Sequence, residues 1–521
     1  MGTYDLGGRQ TLPKNTYPLR ITGGTLLLTD TETSDSRRWY RMGGDTTFDN
    51  ITIKPGTDNS GYYLCGEGYK LTIGENVVTP LVGGDYIYIM GGTGQYNRDK
   101  AVAQTELVIQ SGTWATVYGG GYVSGVTNDV KVTLSNCSVY RLSNSYNGYT
   151  DGNVYFDLKN VTIRNGFYCG NRNNYNVAGN VTVVLREGVT SPRIYAGSAD
   201  GGNILGTVTV IADGIDLKSN TIHGKAANET STIGGLALVV NNGQLADVID
   251  SFVTKDGVSI KLGCVQTETV VLPHNVNLDL NGYGAALVDL NGNNLTCTGN
   301  GNITIKDSAT DDYSVADGVY GTATGENIQV APGYMAITES GKASFHKYEL
   351  EMVALVVNTT KRGITYESNF RGDEKVKEQI KEFGVTMRAY NAPNATTIWA
   401  DPNGLSHVAL SGSQWSTGDN DNVLKSVYVE EIISDTQSVA ANQTRCAVPV
   451  YGRAYVQLND GTMLFSEAKS FTMREAMEHM DDWWNEPGAL TDGNKTALQN
   501  FFAAYKDLMK DWDLPNINPV A

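Results

Sequence analysis

LVIQSG at Leu107–Gly112, VTLSNC at Val132–Cys137, FDLKNV at Phe156–Val161, VVLREG at Val183–Gly188, TVIADG at Thr209–Gly214 and LVVNNG at Leu238–Gly243 are six versions of one phrase. Each alternates apolar residues, adds a polar pair, and closes on glycine or another small residue. Taking the last apolar residue before the polar pair as a marker gives Ile109, Leu134, Leu158, Leu185, Ile211 and Val240, spaced 25, 24, 27, 26 and 29 residues apart. Alternation with period two marks a strand that buries one face. A strand this short cannot bury that face alone, so a recurring period of this size predicts a solenoid. Each strand then bonds to its counterpart one turn away, at roughly 4.8 Å.

Weaker versions extend the pattern in both directions: ITIKPG from Ile51, LTIGEN from Leu71, LDLNGY from Leu278, VDLNGN from Val288 and ITIKDS from Ile303. A leucine-rich repeat would need a helical half in each repeat, and a propeller longer blades with their own aromatic signature. A β-sandwich of many hairpins is the competing reading, since short glycine-bounded strands also suit it. The Asn-Gly, Asn-Asn and Asp-Gly pairs fall where the chain must bend, because asparagine and glycine tolerate positive φ. Asparagine turns feeding threonine-rich strands also produce eleven N-x-S/T matches, among them Asn136, Asn160 and Asn294, by composition alone.

Composition divides the 521 residues. Residues 1–330 hold 47 of the 59 glycines and the remaining 191 hold 12, so a turn-dense first part precedes a conventional globular one. The formal charge of −17 disfavours nucleic acid, anionic lipid and acidic polysaccharide, each of which needs a basic surface. The cysteines (Cys65, Cys137, Cys169, Cys264, Cys297 and Cys446) are scattered singly, with no C-x-x-C pair. They read as small core residues rather than disulfides or zinc ligands. No apolar run reaches the length of a membrane span, and MGTYDLGG has neither a basic n-region nor an apolar h-region. The expectation is a soluble, mature chain that inserts in no membrane.

From Tyr334 the pattern changes to longer alternating strands: SFHKYELEMVALVV at Ser344–Val357, then VTMRAY, SVYVEEII and GRAYVQLNDGTMLF. Antiparallel sheet with one wet face follows, with a hairpin at Asn459-Asp460-Gly461. A helix is expected between strands, capped by Asp373, with Val376, Ile380 and Phe383 on one face and Gly384 at its end. In the tail, Thr472 and Glu475 form a capping box ahead of Ala476, Met477, Met480 and Trp484. Leu498, Phe501, Phe502, Tyr505, Leu508, Met509 and Trp512 mark a second helix.

The rungs, and above all VNLDLNGYGAALVDLNGNNLTCTGNGNITIKDS at Val276–Ser308, resemble the right-handed parallel β-helix segments of large secreted proteins from gut-type Gram-positive bacteria, on a pectin-lyase-like scaffold. The resemblance covers roughly residues 50–310. It implies a fold and an extracellular or cell-surface setting, but no reaction, because no catalytic motif is matched. The expected organisation is a right-handed parallel β-helix over 1–330, a β-sandwich-like domain with one inserted helix over 331–471, and a helical segment packed on it over 472–521.

Glycoside hydrolysis needs two carboxylates across a groove. Asp151, Asp200, Asp213, Glu229, Asp311 and Asp312 are available, but their spacing selects no pair. A lyase would want clustered arginines, and Arg164, Arg172, Arg186 and Arg193 show no common rung position. Arg371-Gly372-Asp373 spells the integrin-binding tripeptide, yet Asp373 already has a role as a helix cap. No cofactor is expected, and single Asp and Asn side chains at bends leave only weak calcium binding open.

The most suggestive feature is aromatic. About ten residues after successive markers stand Tyr118, Tyr168, Tyr195 and His223, each preceded by an apolar residue: Val117, Phe167, Ile194 and Ile222. If the apolar residues point inward, alternation sends the rings outward into a ladder. The Leu134 rung has Ser143 or Asn144 there, a gap for a ligand group. Loops after the ladder positions add Tyr122, Tyr146, Tyr149 and Tyr175. Tyr118, Tyr122, Tyr168, Tyr175, Tyr195 and His223 are therefore the candidate ligand-binding residues, for a neutral glycan or a host or partner protein surface. The same ladder would also form if the rings only covered the outer sheet. An adhesin-like surface protein is the leading expectation. A polysaccharide lyase or glycoside hydrolase on the same scaffold and a structural stalk are the alternatives.

Overall fold

The computed structural model describes residues 2–5, 11–12, 14–29, 37–56, 61–80, 87–95, 100–313, 320–389, 406–409, 413–416, 422–479 and 491–514. The chain forms two compact units. One comprises Met1–Lys306, Gly321–Ala331 and Ser340–Ala343, the other Asp307–Tyr320, Pro332–Glu339 and Ser344–Ala521.

The first unit is a parallel β-solenoid of about 11 turns. Ile109 pairs with Leu134, Leu134 with Leu158, and Leu158 with Leu185, all sealed from solvent. The next member of the stack is Ala212 rather than the expected Ile211. Leu185 pairs with Ala212, and Ala212 with Val240. Parity is the reason: Val208, Val210 and Ala212 are the buried face of their strand, which leaves Ile211 on the half-buried outer side. The weaker repeats divide between sheets. Leu71 stacks beneath Leu107, and Val276 lies between Val258 and Leu295. Gln266–Val271, Ala285–Asp289, Ile303–Lys306 and Ile328–Val330 build a separate parallel sheet.

Each phrase turns on a left-handed residue at its last or next-to-last position: Gly112, Asn136, Asn160, Gly188, Gly214 and Gly243 all have positive φ. Asn160 also donates from Nδ2 to Asn136 Oδ1 at 3.1 Å. A β-branched residue pays the left-handed penalty without that bond. Asn160→Val should therefore cost about 2 kcal/mol in urea unfolding and Asn160→Gly less than about 1 kcal/mol; equal losses would show that conformation is not what selects the residue. Inside the coil, fully buried Asn144 donates to Thr150 Oγ1 (2.9 Å) and to Asn171 Oδ1 (2.8 Å), so this polar pair is built into the interior.

The second unit is antiparallel and sandwich-like. Lys342–Asn358 pairs with Gly363–Gly372, which pairs with Val423–Glu431. A second sheet joins Ile380–Ala389 to Val450–Leu458. Asn459-Asp460-Gly461 turns that strand into Met463–Phe465, with Gly461 at φ +90°. Tyr366, Phe370, Val385 and Val456 are among the core side chains.

The inserted helix is shorter than its apolar spacing suggests. Asp373 does cap it, accepting from the Val376 amide at 3.0 Å, but it spans only Glu374–Lys377. Ile380 and Phe383 lie in the following strand, where Phe383, Val385 and Met387 face the core and Gly384 sits mid-strand opposite Tyr455. Residues 376, 380 and 383 fit a helical face by coincidence, and pairing with Val450–Leu458 overrides it.

The tail completes the same core. Thr472 and Glu475 form the capping box, at 2.9 and 3.0 Å, on the helix Met473–Glu478. Met480 and Trp484 lie outside the described residues. The second helix, Asp492–Ala504, buries Leu498 and Phe501, while Leu508, Met509 and Trp512 are buried from the turns that follow it.

Candidate functional site

Strand register brings the predicted ladder together on the outside of one solenoid sheet. Tyr118 pairs with Ser143, Ser143 with Tyr168, Tyr168 with Tyr195, and Tyr195 with His223. Val117, Leu142, Phe167, Ile194 and Ile222 fill the interior beside them with no exposed surface. Tyr168 and Tyr195 stack with ring centroids 5.7 Å apart and planes 2° apart, and Tyr195 and His223 at 4.6 Å and 20°. Burial, with the Lys225 ammonium nearby, holds the His223 imidazole below the ordinary histidine value, so the third ring is neutral at neutral pH.

Stacking changes what the ladder can offer. Each ring covers the face of the next, so Tyr168 keeps only 7% of its surface and C–H packing on open ring faces is not available. Hydroxyl edges remain. Those of Tyr168 and Tyr195 have no protein partner among the described residues, and neither is sealed from solvent. Tyr175 is exposed but takes no part in the stack.

Below the Ser143 rung stands a second aromatic group, most of which the repeat spacing does not reveal. Trp39, Tyr63 and Tyr88 occupy one register column. Trp39 and Tyr63 lie 4.2 Å apart, and Tyr63 and Tyr88 stack at 4.6 Å. Tyr122 meets Trp39 and Tyr63 edge-on and stacks on Tyr146 at 4.3 Å, while Tyr118 meets Tyr146 edge-on at 5.8 Å. Tyr118 and Tyr122 are thus buried in a packed cluster and are not an open tyrosine face. Ser143 is fully buried as well, so the expected gap in the ladder is closed by protein. Trp39, Tyr63 and Tyr88 were hidden by irregular rung lengths, since Leu71 and Leu107 are stacked neighbours 36 residues apart. The usable signal was a diglycine after the strand, as in YIYIMGG and TVYGGG.

The charged candidates separate. Arg186 bridges Asp157 (2.7 Å) and Asp213 (2.5 Å), and Arg193 donates to the Asn165 carbonyl. Arg164 donates to the Trp114 carbonyl at 3.1 Å. Only Arg172 reaches the aromatic cluster: its guanidinium lies 5.0 Å over the Tyr146 ring and 3.5 Å from the Tyr118 hydroxyl. Asp200 stands 3.8 Å from Arg172 Nε, Asp213 is taken up by Arg186, and in the second unit Asp311 accepts from the Tyr334 hydroxyl.

In the second unit, Asp373 is buried beneath the surface. Its carboxylate lies 2.6 Å from His346 Nδ1, and His346 Nε2 lies 2.8 Å from Ser344 Oγ. That burial withdraws the Arg371-Gly372-Asp373 tripeptide from any receptor. The Ser-His-Asp order resembles a hydrolase relay, but His346 is wholly enclosed, and Ser344 Oγ also contacts the Ile337 carbonyl at 3.2 Å. All six cysteines are free thiols, and burial pushes Cys137 up to about 12. Among the described residues no group of three or more His, Cys, Asp or Glu is placed to hold a metal ion, and no helix is long and apolar enough to cross a membrane. Compared with family models, curated proteins and solved structures, the chain matches none.

Proposed function

We propose that the solenoid is the glycan-binding part of an adhesin-like extracellular surface protein. The observation that carries this reading is the Tyr168–Tyr195–His223 stack: consecutive rungs present unpartnered phenol hydroxyls in one row, held rigid by parallel pairing beneath. A row of fixed donor–acceptor groups at rung spacing suits the hydroxyls of a saccharide chain, and rigid rings lose little entropy on binding. The resemblance of the rungs to secreted β-helix segments supports the extracellular setting.

The test removes the hydroxyls and keeps the rings. In a Tyr168→Phe/Tyr195→Phe variant, each lost hydrogen bond is worth about 1 kcal/mol. Affinity for a glycan retained on an array should fall about 30-fold, with the melting temperature unchanged. Unchanged affinity would return the ladder to a covering role. Reducing-sugar release measured on the same glycans separates binding from the polysaccharide-processing alternative.

A further inference from the structure

The Ser143 rung, where the aromatic row is interrupted, concentrates buried polar atoms that nothing satisfies. Ser143 Oγ, Arg141 Nε and Arg172 Nε are all enclosed and make no hydrogen bond. Native proteins pair nearly all such groups, so a local concentration of exceptions asks for a missing partner. Asn144 Oδ1 and Ser145 Oγ, next along the chain, are enclosed and unpaired as well, and neither guanidinium Nε has an acceptor within hydrogen-bond distance.

Arg141 belongs to the column beside the ladder. Its strand partners are Thr116 on one side and Gly166 on the other, and Gly166 brings no side chain. Among the described residues no hydrogen bond or ion pair engages the Arg141 side chain. Arg172 arrives from the loop after Tyr168 and lies over Tyr146. Its one acidic neighbour, Asp200, is 3.8 Å away on a side chain two-thirds exposed, where solvent screens it. Both guanidinium groups act on the Tyr118 phenol: burial pushes its pKa up, and Arg172 and Arg141 oppose the rise. Arg172 Nη1 lies 3.5 Å from the Tyr118 hydroxyl, and Arg141 stands two residues before Ser143, the strand partner of Tyr118, so both cations belong to this rung. In a chain of net charge −17, Asp200 is paired with half-buried Arg172, and among the described residues no ion pair reaches half-buried Arg141. Partly desolvated guanidinium groups without an anion are costly, and their planar forks match oxyanions bidentately.

We infer that the glycan carries an oxyanion, a carboxylate or a sulfate ester, which seats on the solvent-facing side of Arg141 and Arg172 beside the Ser143 rung, with the sugar running along the Tyr168 and Tyr195 hydroxyls toward the His223 ring. This rests on the glycan reading above and replaces the neutral ligand expected from overall charge. Net charge averages over the whole surface, whereas binding is decided by the few charges at the site.

The test uses three ligands that share a core: lactose, 3′-sialyllactose and 3′-sulfolactose, titrated calorimetrically into the full chain at low and high salt. At least one acidic ligand should bind ten-fold or more tightly than lactose, with the preference shrinking in salt, and the stronger of the two identifies the oxyanion. Arg141→Gln and Arg172→Gln should each abolish the preference, and Arg141→Lys should restore only part of it. Because Arg141 has no protein partner, Arg141→Gln should not lower the melting temperature, so lost binding there cannot be blamed on unfolding. Equal binding of all three ligands, or a preference that survives Arg141→Gln, overturns the inference and leaves glycan binding standing. Retention on the array of neutral glycans alone does the same. No retention of any glycan overturns both.

Discussion

Deleting residues 472–521 should unfold the second unit and leave the solenoid intact. The tail places Met473, Met477, Leu498, Phe501, Leu508, Met509 and Trp512 in the core that also holds Tyr366, Phe370, Val385 and Val456. Burying one such side chain contributes about 1.5–3 kcal/mol, so the tail supplies on the order of 10–20 kcal/mol. Net domain stability is only about 5–15 kcal/mol. The solenoid has no such dependence, since each rung rests on its neighbours. Calorimetry of the truncated chain should show the solenoid transition near its original temperature and no second transition. Hydrogen exchange should show the Gly363–Gly372 amides unprotected. Protection retained there would mean that the two sheets hold together without the helices.

Asp373→Ala should be the most damaging single substitution in that unit. The carboxylate does two things at once: it caps Glu374–Lys377 through the Val376 amide and accepts from His346 Nδ1 inside the core. Losing a cap costs about 1 kcal/mol, and a buried donor left unsatisfied about 1–3 kcal/mol. A loss of about 3 kcal/mol is expected in chemical denaturation. Asp373→Ser, which can still cap, should lose about 2 kcal/mol. His346→Ala removes the same contact from the other side, so the double variant should be less destabilised than the sum of the singles, by about 1 kcal/mol or more. Strict additivity would show that the 2.6 Å contact contributes nothing of its own.

These two expectations differ in how far the sequence foretold them. The capping box at Thr472 and Glu475 and the apolar spacing around Leu498 and Phe501 are local patterns, and a helix forms at each, although the second stops at Ala504, before Leu508, Met509 and Trp512. The Asp373 contact is not local. His346 lies 27 residues earlier on another strand, and only the antiparallel pairing of Lys342–Asn358 with Gly363–Gly372 brings the two together. The apolar spacing after Asp373 misled for the same reason: Ile380 and Phe383 answer to a strand 70 residues downstream.

The same division runs through the solenoid and its candidate site. Alternation and turn chemistry belong to single residues and their neighbours, so sequence alone determined the parallel coil, its inward stack from Ile109 to Leu185, and the left-handed turns at Asn136 and Asn160. Where parity and bulk disagreed, at Ile211 and Ala212, parity decided, because one step along a strand reverses the face. It also determined that Tyr168, Tyr195 and His223 share a column. Only the tertiary structure decided which rings stay open: Tyr122 packs on Trp39 and Tyr63 from earlier rungs, Tyr118 on Tyr122 and Tyr146, and the Ser143 gap is filled. It alone brought Arg172 to the Tyr118 phenol, beside the strand that carries Arg141. Rung length is the physical reason. Strand pairing aligns residues by their place in the turn, so loops of varying length carry side chains with no regular spacing in the chain onto one patch of surface.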